Sequence, residues 1–232
     1  MFTNIGENFS ADNDICGQAA EQSYIAPFIY NGDATRRGEW PWSVAMFHFG
    51  TKFVCGGTLV SNRMVISAAH CINTGTRRYE AHEVLLWLGR YSLKVFNEDG
   101  AIATGVDRIH VHPEYKTIDR DSFDADIALL ITTKIIEYTS YVRPVCLWSE
   151  STDISLVEGK EGTVVGWGKI DVENTSDILR KIDLPIVNAL ACVRKTAQLN
   201  TVVSNRTFCA GTLDGSGPCM GDSGKGIRNL SG

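Results

Sequence analysis

Short apolar segments rich in β-branched and aromatic residues recur along the chain, separated by Gly, Asn and Asp. They cover 42–49, 53–60, 64–67, 84–88, 127–131 and 163–165, lengths that suit strands rather than helices. The stretch Val44-Ala45-Met46-Phe47-His48-Phe49 alternates imperfectly, in the manner of a half-buried strand. Gly56-Gly57 and Gly166-Trp167-Gly168 mark tight backbone turns. Helical periodicity is scarce: one short helix is predicted over 189–198, with Asn188 as its cap. The residues before Ile29 read as an irregular leader, and 225–232 as a short polar tail. Many short strands with turn signals predict an all-β sandwich or barrel, and propensity does not choose between the two.

Composition narrows the class. Over 232 residues, 44% are apolar and 21% charged, the balance of an ordinary globular protein. Twenty-two Lys and Arg against 27 Asp and Glu give a net charge of −5 without any basic run, so nucleic acid is not an expected partner. No apolar stretch reaches the ~18–20 residues of a membrane-spanning helix. The seven cysteines, at 16, 55, 71, 146, 192, 209 and 219, form no CxxC pair; their wide spacing suits disulfides in a secreted protein better than a zinc ribbon or a set of cytosolic thiols. Sequons at Asn8, Asn174, Asn205 and Asn229 point the same way and are glycosylation candidates. An odd cysteine count leaves one without a partner. Residues 1–15 are polar and do not form a signal peptide, so a secreted protein with this start is expected to be a fragment or to have lost its true beginning.

Three segments carry chemistry: Ser67-Ala68-Ala69-His70-Cys71, Asp124-Ala125-Asp126-Ile127-Ala128-Leu129-Leu130, and Cys219-Met220-Gly221-Asp222-Ser223-Gly224. Taken singly, each has a plain structural explanation: a partly buried histidine, a strand-start aspartate, a turn. Together they stand in the order His, Asp, Ser, and the chain resembles the trypsin/chymotrypsin-like serine proteases. The resemblance runs from Ile29 to about Gly224. It also takes in Gly38-Glu39-Trp40-Pro41-Trp42, Cys55-Gly56-Gly57-Thr58-Leu59, Arg143-Pro144-Val145-Cys146-Leu147, Gly166-Trp167-Gly168 and Phe208-Cys209-Ala210-Gly211. Details of the leader and tail resemble insect members.

The resemblance implies two six-stranded antiparallel Greek-key barrels, with 1–28 as a propeptide-like segment and 29–232 as the protease domain. It implies Ser223 as nucleophile, His70 as general base and Asp126 as the residue orienting the imidazole, with Asp124 the weaker choice because Ile127-Ala128-Leu129-Leu130 aligns Asp126 with the motif. Backbone N–H groups of Gly221 and Ser223 would form the oxyanion hole. After cleavage, a new N-terminus at Ile29 would pair with Asp222; Phe28, in place of Arg or Lys, makes a trypsin-like activator an unexpected choice. The implied disulfides are Cys16–Cys146, Cys55–Cys71 and Cys192–Cys209, with Cys219 unpaired. Expected partners are protein substrates, including zymogens of a proteolytic cascade, and protease inhibitors. No cofactor is expected, nor a metal, since the histidines form no HExxH pattern.

The chain departs from the family pattern at two places. Lys225 stands where a second Gly is usual, and the chain ends at Gly232. The second barrel is therefore expected to be incomplete, with an unpaired strand edge. At the specificity-pocket floor Gly217 replaces the Asp of trypsin-like members, which removes the usual attraction for basic residues; Met220 is expected at the pocket rim. These departures leave a second expectation, a non-catalytic homologue or fragment acting as a binding module.

Overall fold

The computed structural model describes residues 16–19, 33–95, 97–116, 124–149, 151, 153–168, 176–190, 194, 204, 206–212, 223 and 227–229. Each of the six predicted apolar segments overlaps a strand: β2 (Ser43–His48), β3 (Lys52–Leu59), β4 (Met64–Ser67), β5 (Val84–Leu88), β7 (Ala128–Thr132) and β8 (Glu161–Gly166). The remaining strands are β1 (Asp33–Ala34), β6 (Ile102–Val111), β9 (Arg180–Val187), β10 (Cys209–Ala210) and β11 (Ile227–Asn229). Single 3₁₀ turns occur at Ala69–Cys71, Ala81–Glu83 and Ile154–Leu156. Most of the helix predicted over 189–198 lies outside the described residues; at its start the Asn188 side chain accepts from Leu190 N at 2.8 Å, the bond expected of an N-cap.

Strands β2, β3, β4, β7, β6 and β5 close in that order into an antiparallel barrel. β5 alternates buried and half-buried positions, whereas every residue of β2 and β7 is buried. The core filling the barrel, with Val44, Met46, Leu59, Val65, Leu86, Leu88 and Leu130 at its centre, continues without a break into Val165, Trp167 and Leu179 of the second half. Phe53 meets the Trp167 ring edge-on at 6.1 Å, and Trp167 Nε1 donates to Tyr91 O at 2.9 Å. The second half presents, among the described residues, a sheet in the order β1-β9-β8-β11 with β10 also on β9. β1 therefore pairs with the second half before the chain crosses to β2 in the first. The architecture is all-β and of the chymotrypsin type.

The tail read as polar from sequence contains β11, whose Ile227, Arg228 and Asn229 pair antiparallel with Val164, Thr163 and Gly162. An unpaired strand edge was expected in this half; the edge of β8 is covered by β11 over that length. β6 and β9 lacked an apolar signature for a physical reason: Gly105, Asp107, Arg108 and His110 interrupt the first, and Lys181, Asp183 and Pro185 the second. Their backbones are committed by neighbours on both sides, β5 and β7 for β6 and β8, β1 and β10 for β9. Pro185, ordinarily an argument against a strand, sits near the end of its ladder, where its carbonyl still accepts from Gly211 N at 3.0 Å.

Candidate active site

β4 runs directly into the 3₁₀ turn that carries His70. Ala68 and Ala69 are buried, and their small side chains let this turn sit against the barrel. Two bonds fix it to β3. Cys71 is disulfide-bonded to Cys55, and the Ser67 hydroxyl donates to Gly56 O at 2.8 Å. Gly56 is also the anchor for the third segment, because its N–H donates to Ser223 O at 2.9 Å. Cys55 and Gly56, adjacent on one strand, thus hold both the histidine segment and the backbone of the serine.

Asp126 precedes β7 on a strained turn. Ala125 has φ 56° and is buried, and Ile127 N donates back to Ala125 O at 2.7 Å. This geometry turns the Asp126 carboxylate onto His70 at two points. Oδ1 accepts from the His70 backbone N at 2.8 Å, and Oδ2 lies 2.6 Å from Nδ1. An ionised carboxylate can only accept, so Nδ1 carries the proton, and in the neutral ring Nε2 keeps the lone pair. The pair is partly covered, with side-chain exposures of 35% for His70 and 13% for Asp126. An imidazole held in this tautomer presents Nε2 for taking a proton.

Asp124 faces a different partner. Its Oδ1 accepts from the Ser204 hydroxyl at 2.7 Å and from Arg206 Nε at 3.0 Å, while Oδ2 bonds Arg206 Nη2. The Arg206 guanidinium and the Ser204 hydroxyl lower its pKa to about 2. Arg206 also bonds Glu114, a pairing that sequence reasoning missed because its members are distant in the chain. Sγ of Cys55 and Cys71 and a ring nitrogen of His70 lie within 4.8 Å of one another, a spacing seen in metal sites. Here the two sulfurs are bonded to each other and offer no thiolate to a metal.

Cys16 is bonded to Cys146, and the junction is reinforced by Gly17 N donating to Pro144 O at 2.9 Å and Arg143 Nη1 donating to Gln18 Oε1 at 2.9 Å. Cys209 is disulfide-bonded. Ile29, Gly217, Met220, Gly221, Asp222, Cys192, Cys219, Asn8, Asn174 and Asn205 lie outside the described residues. Asn229 lies in β11. No helix of the described residues is long and apolar enough to cross a membrane.

An all-β fold with a carboxylate-bound imidazole, and a serine backbone anchored beside it, fits the resemblance to the trypsin-like family. Comparison with known proteins agrees. The family described as Trypsin matches residues 29–232. The chain is 39% identical over 194 residues to serine protease gd of Drosophila melanogaster, an alignment covering 75% of this chain and 36% of that protein. It is 31% identical over 223 residues to phenoloxidase-activating factor 1 of Holotrichia diomphalia, covering 90% and 59%. Clotting factor C of Tachypleus tridentatus is 31% identical over 222 residues, covering 90% and 21%. The chain belongs to the trypsin family. It spans 36% and 59% of the lengths of the first two of these relatives.

Proposed function

We propose that this chain is the protease portion of a secreted serine endopeptidase made as a zymogen. The observation that carries the proposal is the two-point grip of Asp126 on His70, at 2.6 and 2.8 Å. In the proposed reaction the Ser223 hydroxyl attacks a peptide carbonyl while His70 Nε2 takes its proton. The protonated imidazole then gives that proton to the leaving amine, and Asp126 holds the ring in register throughout. Water, deprotonated by the same His70, releases the acyl group from Ser223. N–H groups of Gly221 and Ser223 receive the oxyanion, a role that rests on the family motif; loss of one such donor typically slows turnover by about 10²–10³.

Activation follows from the same motif. Cleavage at Phe28–Ile29 frees an ammonium that neutralises the Asp222 carboxylate, a group costly to bury alone. The aromatic residue before the cut calls for a chymotrypsin-like activator or self-cleavage. The leader then stays attached through Cys16–Cys146. Two relatives carry the names of an activating factor and a clotting factor, which supports a place in a proteolytic cascade, with zymogens as substrates and protease inhibitors as partners. Gly217 at the pocket floor favours uncharged over basic side chains.

The test is fluorophosphonate labelling of the chain after cleavage at Ile29, read by intact mass and peptide mapping. One adduct at Ser223, abolished in His70→Ala, is the expected result. A cooperatively folded protein that takes no adduct overturns the protease reading and supports the binding-module reading suggested by Lys225. N-terminal sequencing of the mature protein should begin at Ile29; a different start ends the activation proposal.

A further inference from the structure

Asp126 sits immediately after a buried alanine held at φ 56°, a conformation that L-residues with a Cβ rarely adopt. Such a residue keeps its conformation only when its surroundings over-determine it. Here the two sides of the strained residue are gripped from opposite parts of the chain. On one side, Asp126 is bound by His70, 56 residues away in sequence. On the other, Asp124 is bound by Ser204 and Arg206, 80 and 82 residues away.

The second grip is built for geometry. Arg206 presents its Nε and Nη2 edge to both carboxylate oxygens of Asp124, and its Nη1 reaches Glu114. Glu114 lies just beyond β6 and Asp124 just before β7, so one guanidinium ties the two ends of the segment joining these strands. Arg206 is itself placed by a tight turn: its N–H donates to Ser204 Oγ at 3.1 Å, and Ser204 N donates to Thr207 Oγ1 at 2.7 Å. An isolated surface ion pair contributes little, but a forked arginine joining two carboxylates within a network is the case where geometry matters.

We propose that Arg206 is a positioning residue for the histidine–aspartate pair. By clamping Asp124 it holds Ala125 in its left-handed conformation and so aims the Asp126 carboxylate at His70. Without the clamp, Ala125 relaxes toward an ordinary backbone conformation and Asp126 swings off the ring. This inference rests on Asp126 being the orienting carboxylate, and it makes the second half of the chain a contributor to a pair carried wholly by the first.

The test compares the full chain with Arg206→Gln, Asp124→Asn, Ala125→Gly and the Ala125→Gly/Arg206→Gln double variant. The first readout is independent of turnover: the downfield proton resonance of His70 Nδ1 bonded to a carboxylate. The second is the rate of fluorophosphonate labelling at Ser223. Arg206→Gln and Asp124→Asn should each broaden or lose the resonance, and each should slow labelling about tenfold to a hundredfold, the scale on which small misplacements act. Arg206→Lys, which keeps the charge but not the fork, should not rescue them. Glycine occupies the left-handed region without the Cβ penalty, so Ala125→Gly should restore part of both signals in the Arg206→Gln background, a recovery that a merely stabilising role for Arg206 would not give. An unchanged resonance in both clamp variants overturns the proposal, as does a loss that Ala125→Gly leaves wholly unrepaired. A parent chain that shows the resonance but takes no label refutes the protease reading alone, and the resonance series still decides the role of Arg206.

Discussion

His48 illustrates how a single residue sets a response to pH. It is only 3% exposed, and its ring lies on Tyr79 with centroids 3.6 Å apart. Burial holds its pKa below the ordinary 6.5, outweighing a backbone hydrogen bond with Cys71 that favours the cation. The fold therefore prefers the neutral ring. Its contribution is complete above the unfolded pKa of 6.5 and is lost as pH falls below that value, because the unfolded chain then binds the extra proton. Thermal melts should show a midpoint falling between pH 7 and 5, with a smaller slope in His48→Phe. Asp124 acts in a lower window: its contribution is present above the unfolded 3.8 and disappears as pH drops toward about 2. Arg90 is a third case. Also 3% exposed, it donates to the carbonyls of Ser92, Leu93 and Val95 and lies over the Trp87 ring at 4.6 Å. Arg90→Met strands those carbonyls, and urea unfolding should show a loss of about 3 kcal/mol.

Among the elements, β3 does most to organise the site. Its Cys55 and Gly56 hold the His70 turn and the Ser223 backbone, and the next residue, Gly57, lies against β4 with no room for a side chain. A Cβ at Gly57 would come within 2.9 Å of Val65 Cγ1 and 3.2 Å of the Ile66 carbonyl oxygen. Gly57→Ala is expected to cost about 1–3 kcal/mol in denaturant unfolding, the usual penalty for overpacking. The strand itself was legible in sequence because its apolar residues and paired glycines are local signals. β6, β9 and β11 were not. Hydrogen bonds from adjacent strands hold a polar-interrupted segment such as Arg180–Val187 in the ladder, and those neighbours are far away in the chain. Asn188 was readable as a cap for the opposite reason, since its partner Leu190 is two residues on.

At the scale of the molecule, the two halves share one continuous core, and several polar contacts reinforce the junction. Lys94 pairs with Asp177 at 2.7 Å, Leu93 N donates to Asp177 O at 2.8 Å, and Lys181 Nζ donates to Glu39 at 2.9 Å. The Cys16–Cys146 bond closes a separation of 130 residues, a span for which chain-entropy models give about 4–5 kcal/mol. After cleavage at Ile29 the protein should run as one species on a non-reducing gel and release the leader only when thiol is added; Cys146→Ser should release it without reduction. The sequence by itself determined the kinds of chemistry present and the strands with local apolar patterns, because residue type and spacing are written along the chain. Through a motif it also pointed to Asp126 as the proposed orienting residue. Only the tertiary structure decided that Asp124 bonds Ser204 and Arg206, that β11 pairs with β8, and that Arg206 reaches Glu114 as well. Those outcomes depend on charges and backbone groups that meet only after the chain has folded, and nothing in the spacing of residues announces such a meeting.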